Sequence, residues 1–204
     1  AAMALIDKLG RRPLLGFGLA GIAVCMFSLS YGFASATYKI SGDVELPADL
    51  DKTMLATVID AEYGSDVEFR EAVSAAIGET AFKQHESQLI SSAVDLNATL
   101  ILVAILGFVA SFAMSLGPVM WVLFSELFPN QLRGLAISVA GLVNSAVSFG
   151  VQLVFPWELE TLGNAVTFLI YGVFALLGLV LIMRILPETK GRSLEELEHM
   201  LVRS

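Results

Sequence analysis

Four stretches of this sequence contain no Asp, Glu, Lys or Arg: residues 13–38, 96–125, 134–157 and 161–183, running 26, 30, 24 and 23 residues. At a rise of about 1.5 Å per residue, even the shortest reaches roughly 35 Å as a helix, enough to cross a hydrocarbon core of about 30 Å. Lipid offers no partner for backbone N–H and C=O groups, so a spanning segment must be a helix or part of a closed barrel. None of the four stretches alternates apolar and polar residues as a barrel strand would, so they read as helices. A soluble protein with buried helices is the competing reading. It fails on surface: only 16% of the 204 residues are charged, where about 25% is usual for a soluble domain.

Residues 1–6 are apolar and end at Asp7, which is not how a signal peptide begins. They read as the tail of an earlier span, so the chain is expected to be a fragment whose preceding spans are missing. The one cysteine, Cys25, falls inside the first full span, where it reads as inert packing and excludes an intrachain disulfide.

The net charge of −8 matters less than its distribution. Four spans put both chain ends on one side, with Lys8, Arg11, Arg12, Arg133, Arg184, Lys190, Arg192 and Arg203. That side has 8 basic and 6 acidic residues, or +2; the other has 4 basic and 14 acidic, or −10. Basic residues beside span ends stay in the cytoplasm, so both ends are expected there. This charge distribution gives no footing for nucleic acid.

The first span carries Gly16, Gly18, Gly21 and Gly32, small residues that allow close helix approach. Residues 39–94 form a polar extracytoplasmic insertion, too long for a plain connection. In it Leu50, Met54, Val58 and Ile59 fall at helical spacing, and Ser65 with Glu68 makes a capping-box pattern. The helix so opened has Phe69, Val73, Ala76 and Ile77 on one face, is ended or bent by Gly78, and is followed by Phe82, Leu89, Ile90 and Ala93. The expected result is a cap of two or three short amphipathic helices. His85 has no second His or Cys beside it, so no metal site is expected. Asn97-Ala98-Thr99 matches a glycosylation triplet but sits at a span boundary and reads as chance. The third span is expected to end at Pro156–Trp157, and residues 193–201 read as a short helix in a cytoplasmic tail.

Three motifs at the arginine-bearing ends resemble a known family. Asp7-Lys8-Leu9-Gly10-Arg11-Arg12-Pro13 is similar to the signature between spans eight and nine of the sugar porter branch of the major facilitator superfamily. Pro187-Glu188-Thr189-Lys190-Gly191-Arg192 resembles the segment after its span twelve. Between them, Gly117-Pro118-Val119-Met120-Trp121, Ser125-Glu126-Leu127-Phe128-Pro129 and Leu132-Arg133-Gly134 resemble spans ten and eleven. The resemblance, nearest to bacterial sugar–proton symporters, covers nearly everything but residues 39–94. It implies an all-α, multi-pass membrane bundle: a partial C-terminal half of a major facilitator fold, with four full spans and the end of a fifth. Residues 1–38 would hold the end of span eight, a cytoplasmic turn and span nine. Residues 39–94 would be the insertion, 95–186 spans ten to twelve, and 187–204 the cytoplasmic tail.

The resemblance further implies transport of a monosaccharide by alternating access in the cell membrane, coupled to protons, with no cofactor and no enzymatic step. A non-transporting sugar sensor on the same fold is the alternative. Trp121 matches the family's sugar-stacking tryptophan, Asn144 the amide that contacts sugar hydroxyls, and Phe112 a further contact. Ser145 follows Asn144 where relatives commonly have tryptophan, which removes a stacking surface. Gly117 and Pro118 break the helix because Pro118 has no N–H to give Met114. Trp121 lies one turn beyond Gly117 on the same face, whereas Phe112 points away from Trp121 on an ideal helix. Asp7, Arg11, Arg12, Glu126, Arg133 and Glu188 would form a charge network that locks the cytoplasmic side. The four uncharged stretches carry no carboxylate, Lys, Arg or His for a proton relay, so a coupling residue is expected in the missing spans.

Overall fold

The computed structural model describes residues 10–42, 50, 53–127 and 132–186. Residues 1–6, Asp7, Phe128 and Pro129, and the tail with Glu188 and the expected helix over 193–201 lie outside the described residues. Among the described residues, four segments are long and apolar enough to cross a membrane: Arg11–Ala34, Ala98–Leu123, Arg133–Thr161 and Gly163–Ile185.

Helix α1, Arg11–Ala34, is the spine of the bundle. Pro13 falls in its first turn, where a missing N–H costs nothing. Leu14, Leu15, Leu19, Ile22, Met26 and Leu29 are all buried along it. The glycines explain how: α1 comes so near its neighbours that side chains there have no room. A Cβ on Gly21 would lie 2.5 Å from the Ser111 hydroxyl, and one on Gly32 2.7 Å from Ile101. Gly107 makes the reciprocal allowance for Cys25, whose sulfur would be 2.9 Å from a Cβ there. The cysteine is thus a packed side chain, as the sequence implies.

The uncharged stretch runs on to Tyr38, but the helix stops at Ala34, and Thr37–Lys39 forms strand β1. Absence of charge does not distinguish a span from a buried strand. Strand β2 is Glu62–Tyr63, helix α2 Asp66–Ile77, helix α3 Glu79–Ala93 and strand β3 Val94–Asp95. The strands pair antiparallel in the order β2-β1-β3, with Tyr38 opposite Tyr63 and Val94, and Thr37 opposite Asp95. This sheet is absent from the sequence-based expectation, which has helices only. The capping residues do act as expected: the Ser65 side chain accepts from Glu68 N at 3.2 Å, and Gly78, at φ +86°, both ends α2 and starts α3. The helical spacing of Leu50, Met54, Val58 and Ile59 yields only turns over residues 53–58, because Ile59 is drawn into a parallel bridge with Ile40.

Residues 39–94 have a core of their own. Phe69, Leu55, Val58, Val73 and Leu89 are essentially inaccessible, joined by Tyr38 and Ile40 from beside α1. Phe69 sits between Tyr38 and Tyr63, with ring centroids 5.7 and 5.9 Å away. His85 is half-buried and has an interaction of its own.

Helix α4 is Ala98–Met114, α5 Leu116–Leu127, α6 Arg133–Thr161 and α7 Gly163–Ile185. Asn97 caps α4, its side-chain oxygen accepting from Leu100 N at 3.0 Å, which gives the residue a structural reason to be there. Helix α6 continues past the expected span end at Pro156–Trp157 to Thr161, with Pro156 inside it. One lost hydrogen bond is tolerable in a spanning helix whose other backbone groups are paired.

Candidate functional site

The second span is broken, and the break leaves Phe112 beside Gly117, while Asn144 stands on a different helix, α6. Pro118 cannot donate to the Met114 carbonyl, so the hydrogen-bond ladder must be interrupted upstream of it. The break falls at Ser115, between α4 and α5. Ser115 N donates to Phe112 O at 3.3 Å, a tightened turn, and its hydroxyl donates to Ser111 O at 2.6 Å. The ladder resumes where Val119 N donates to Ser115 O at 3.0 Å. Val119 is buried against Leu14 and Leu15 of α1, which anchors the far side of the hinge.

Phe112 lies beside the break. A Cβ on Gly117 would lie 3.6 Å from the Phe112 ring, an ordinary van der Waals contact that leaves room for a small side chain. Phe112 and Gly117 are therefore neighbours across the break. Trp121, one turn on in α5, is 49% exposed and has a contact of its own. Asn144 is exposed in the middle of α6, with Ser148 one turn beyond.

At the arginine-bearing end, Arg11 and Arg12 open α1 and Arg133 opens α6. Arg12 donates through Nη2 to the backbone carbonyl of Met183 near the end of α7, tying the two helices together. The Arg133 Nε is shielded from solvent without a hydrogen-bond partner among the described residues. Glu126 lies within α5, but its side chain, like Asp7 and Glu188, lies outside what is described. Among the described residues no group of His, Cys, Asp and Glu could hold a metal ion. A cavity of about 380 Å³ opens between the helices, lined by Ile22, Met26, Phe108, Gln152, Phe155 and Tyr171. Tyr171 donates to Glu158 at 3.0 Å beside it.

The sequence matches the family model described as "Sugar (and other) transporter" over residues 72–201, well over half the chain. The chain belongs to this sugar transporter family. Among its relatives, the mouse solute carrier family 2, facilitated glucose transporter member 10, is 32% identical, the match covering 97% of this chain and 41% of that one. The D-xylose-proton symporter of Escherichia coli (strain K12) is 29% identical, covering 97% of this chain and 29% of that one. A solved structure of the major facilitator superfamily proton:xylose symporter XylE, bound to 6-bromo-6-deoxy-D-glucose, aligns at a TM-score of 0.58 and 30% identity, covering 98% of this chain and 31% of that chain. The chain thus spans less than half the length of these relatives. The likeness to a sugar transporter extends through residues 39–94, which the resemblance read from motifs leaves out. As a family member the chain is an integral membrane protein, its helical bundle is part of a major facilitator fold, and the family is one of transporters rather than enzymes.

Proposed function

We propose that this chain forms part of a carrier that moves a monosaccharide across the cell membrane by alternating access, coupled to protons. The observation that carries the reading is the broken span, which brings Phe112 against Gly117 and leaves Trp121 accessible one turn away. An exposed indole offers a flat apolar face to the C–H surface of a sugar ring and an N–H to its hydroxyls. Asn144 supplies an amide with both donor and acceptor. Irregular backbone at membrane depth suits a moving gate, because freed carbonyls find partners in a cavity.

In this reading α1, the α4–α5 pair, α6 and α7 are spans nine to twelve, and the arginine-bearing end faces the cytoplasm. Residues 39–94 lie outside the cell membrane and 187–204 form the cytoplasmic tail. The shielded Arg133 Nε fits a charge network in which Arg11, Arg12 and Arg133 meet Asp7, Glu126 and Glu188 when the cytoplasmic side is closed. The proton-coupling group and the rest of the sugar site belong to further spans of the full-length transporter.

The test is uptake of labelled xylose and glucose by proteoliposomes containing the full-length protein, with an imposed proton gradient. Gradient-driven accumulation is expected, with Trp121→Ala and Asn144→Ala each lowering uptake at least about tenfold, the cost of one or two lost directional contacts. Exchange of sugar without accumulation would refute the proton coupling. No exchange of any sugar would refute carrier transport.

A further inference from the structure

Helix α7, the last among the described residues, begins without a cap of its own. Its N-cap position is Leu162, which makes no side-chain hydrogen bond, although the first turn of any helix has N–H groups needing acceptors. The acceptor comes from 98 positions earlier. Asp66, in the first turn of α2, is 6% exposed, and its Oδ2 accepts from both Asn164 N at 3.1 Å and Asn164 Nδ2 at 2.6 Å. A carboxylate there is also favoured by the helix dipole. Gly163 is shaped to admit it: φ is +79°, and a Cβ would lie 2.6 Å from Asp66 Oδ1 and 3.0 Å from Val67.

The same segment grips two other spans. Strand β1 follows α1 after only Ser35 and Ala36, and β3 precedes α4 by only Leu96 and Asn97. Pairing β1 with β3 therefore fastens those two helix ends together. Between α1 and α7, the Ser30 hydroxyl donates to Ala165 O at 2.8 Å and the rings of Phe33 and Phe168 stack at 5.5 Å.

We propose that residues 39–94 act as a brace, clamping the adjacent ends of α1, α4 and α7 into one rigid unit, with Asp66 as the latch that holds α7. The hinge at Ser115 and the N-terminal part of α6 lie away from these braced ends, whereas the C-terminal end of α6 joins the latched start of α7 through Leu162. Conformational change in this part of the transporter is then concentrated in the hinge and the free part of α6.

The latch is tested by hydrogen–deuterium exchange on the full-length protein in detergent. Asp66→Ala is expected to speed exchange in the first turn of α7 roughly tenfold, the loss expected for a hydrogen-bonded carboxylate. The centre of α7 and the β1–β3 pairing should keep their protection. Asp66→Asn, which retains an acceptor oxygen, should fall between, and Asn164→Ala added to Asp66→Ala should cause little further change. Unchanged exchange at Asn164 in Asp66→Ala, or additive effects in the double variant, would overturn the proposal. Loss of protection throughout residues 39–94 would also overturn it, since Asp66 would then hold the cap together rather than latch it. The readout needs no transport, so it stands or falls separately from sugar carriage.

Discussion

The tightest contact in the bundle makes a sharp test of how the hinge is held. A Cβ added at Gly18 would fall 1.6 Å from Ser115 Oγ, 2.3 Å from Ser115 Cβ and 3.3 Å from Ser111 O. Rotating the hydroxyl away relieves the first of these but not the second, which involves an atom fixed to the backbone. Carbon atoms prefer separations of about 3.5–4.0 Å, so in Gly18→Ala helix α1 must retreat from the hinge by on the order of 1 Å. Overpacking of this kind costs about 1–3 kcal/mol, expected as a fall of a few degrees in the thermal midpoint of the full-length protein in detergent. The cause can be isolated by removing the struck atoms. Ser115→Gly deletes both Oγ and Cβ at the price of its bond to Ser111 O, so the double variant should recover at least ~1 kcal/mol of coupling. A neutral Gly18→Ala, or additive effects in the double variant, would refute the claim that α1 is pressed against the break in the second span.

Phe69→Ala should cost about 3–5 kcal/mol, since the ring is fully buried between two tyrosines. Limited proteolysis should then cut within residues 39–94 while the spanning helices stay intact. Tyr38 is 2% exposed, and its pKa is pushed from 10.0 up to about 12, first by burial and then by the Asp66 carboxylate, against an opposing pull from Arg70. Folding therefore favours the neutral phenol: that stabilisation is complete below pH 10 and is lost as pH rises from about 10 through about 12. Ultraviolet titration should show a late tyrosinate step that Tyr38→Phe removes. Pro118→Ala restores a donor for the Met114 carbonyl, so it should raise thermal stability and lower sugar uptake; unchanged uptake would mean that the break plays no part in transport.

The spans were legible because excluding charge from lipid is a large, local and one-sided energy, visible in any stretch that lacks it. Their ends were less so: Tyr38 is as uncharged as the residues of α1, yet its environment is a sheet. The sheet itself left no trace in the sequence, because each strand has only two or three residues and each pairing joins positions far apart, such as Tyr38 with Val94. Ser65 and Gly78 were legible since a cap acts on its own helix. Asp66 was not, because its partner belongs to another element; the one available signal was Leu162, an apolar residue where α7 needed an acceptor. Trp121, Asn144, Gly117 and Phe112 could be named only through resemblance, and the nearness of Phe112 to Gly117 depends on a break whose geometry no periodicity encodes.

Helix α6 poses the remaining question of which side meets water. Its exposed Leu142, Phe149 and Leu153 are no liability against lipid tails. Its polar residues are another matter. At about 100° per residue, Ser148, Gln152 and Ser145 lie roughly 40°, 80° and 100° around the helix from Asn144, whereas Leu142, Phe149 and Leu153 fall at about 140–180°. An amide or hydroxyl facing hydrocarbon forfeits hydrogen bonds, so this polar arc belongs against protein or an aqueous cavity. If it lines the sugar path, cysteines at 144, 148 and 152 should react with water-soluble thiol reagents in the full-length protein and be shielded by transported sugar. Cysteines at 142, 149 and 153 should not react. Cys25, packed against Gly107, should stay silent in the parent. Equal labelling of both sets would mean that α6 is not divided into a wet and a lipid-facing side. Inert cysteines at all six positions would place the polar arc against protein, and Asn144 would then be a packing residue rather than a sugar contact.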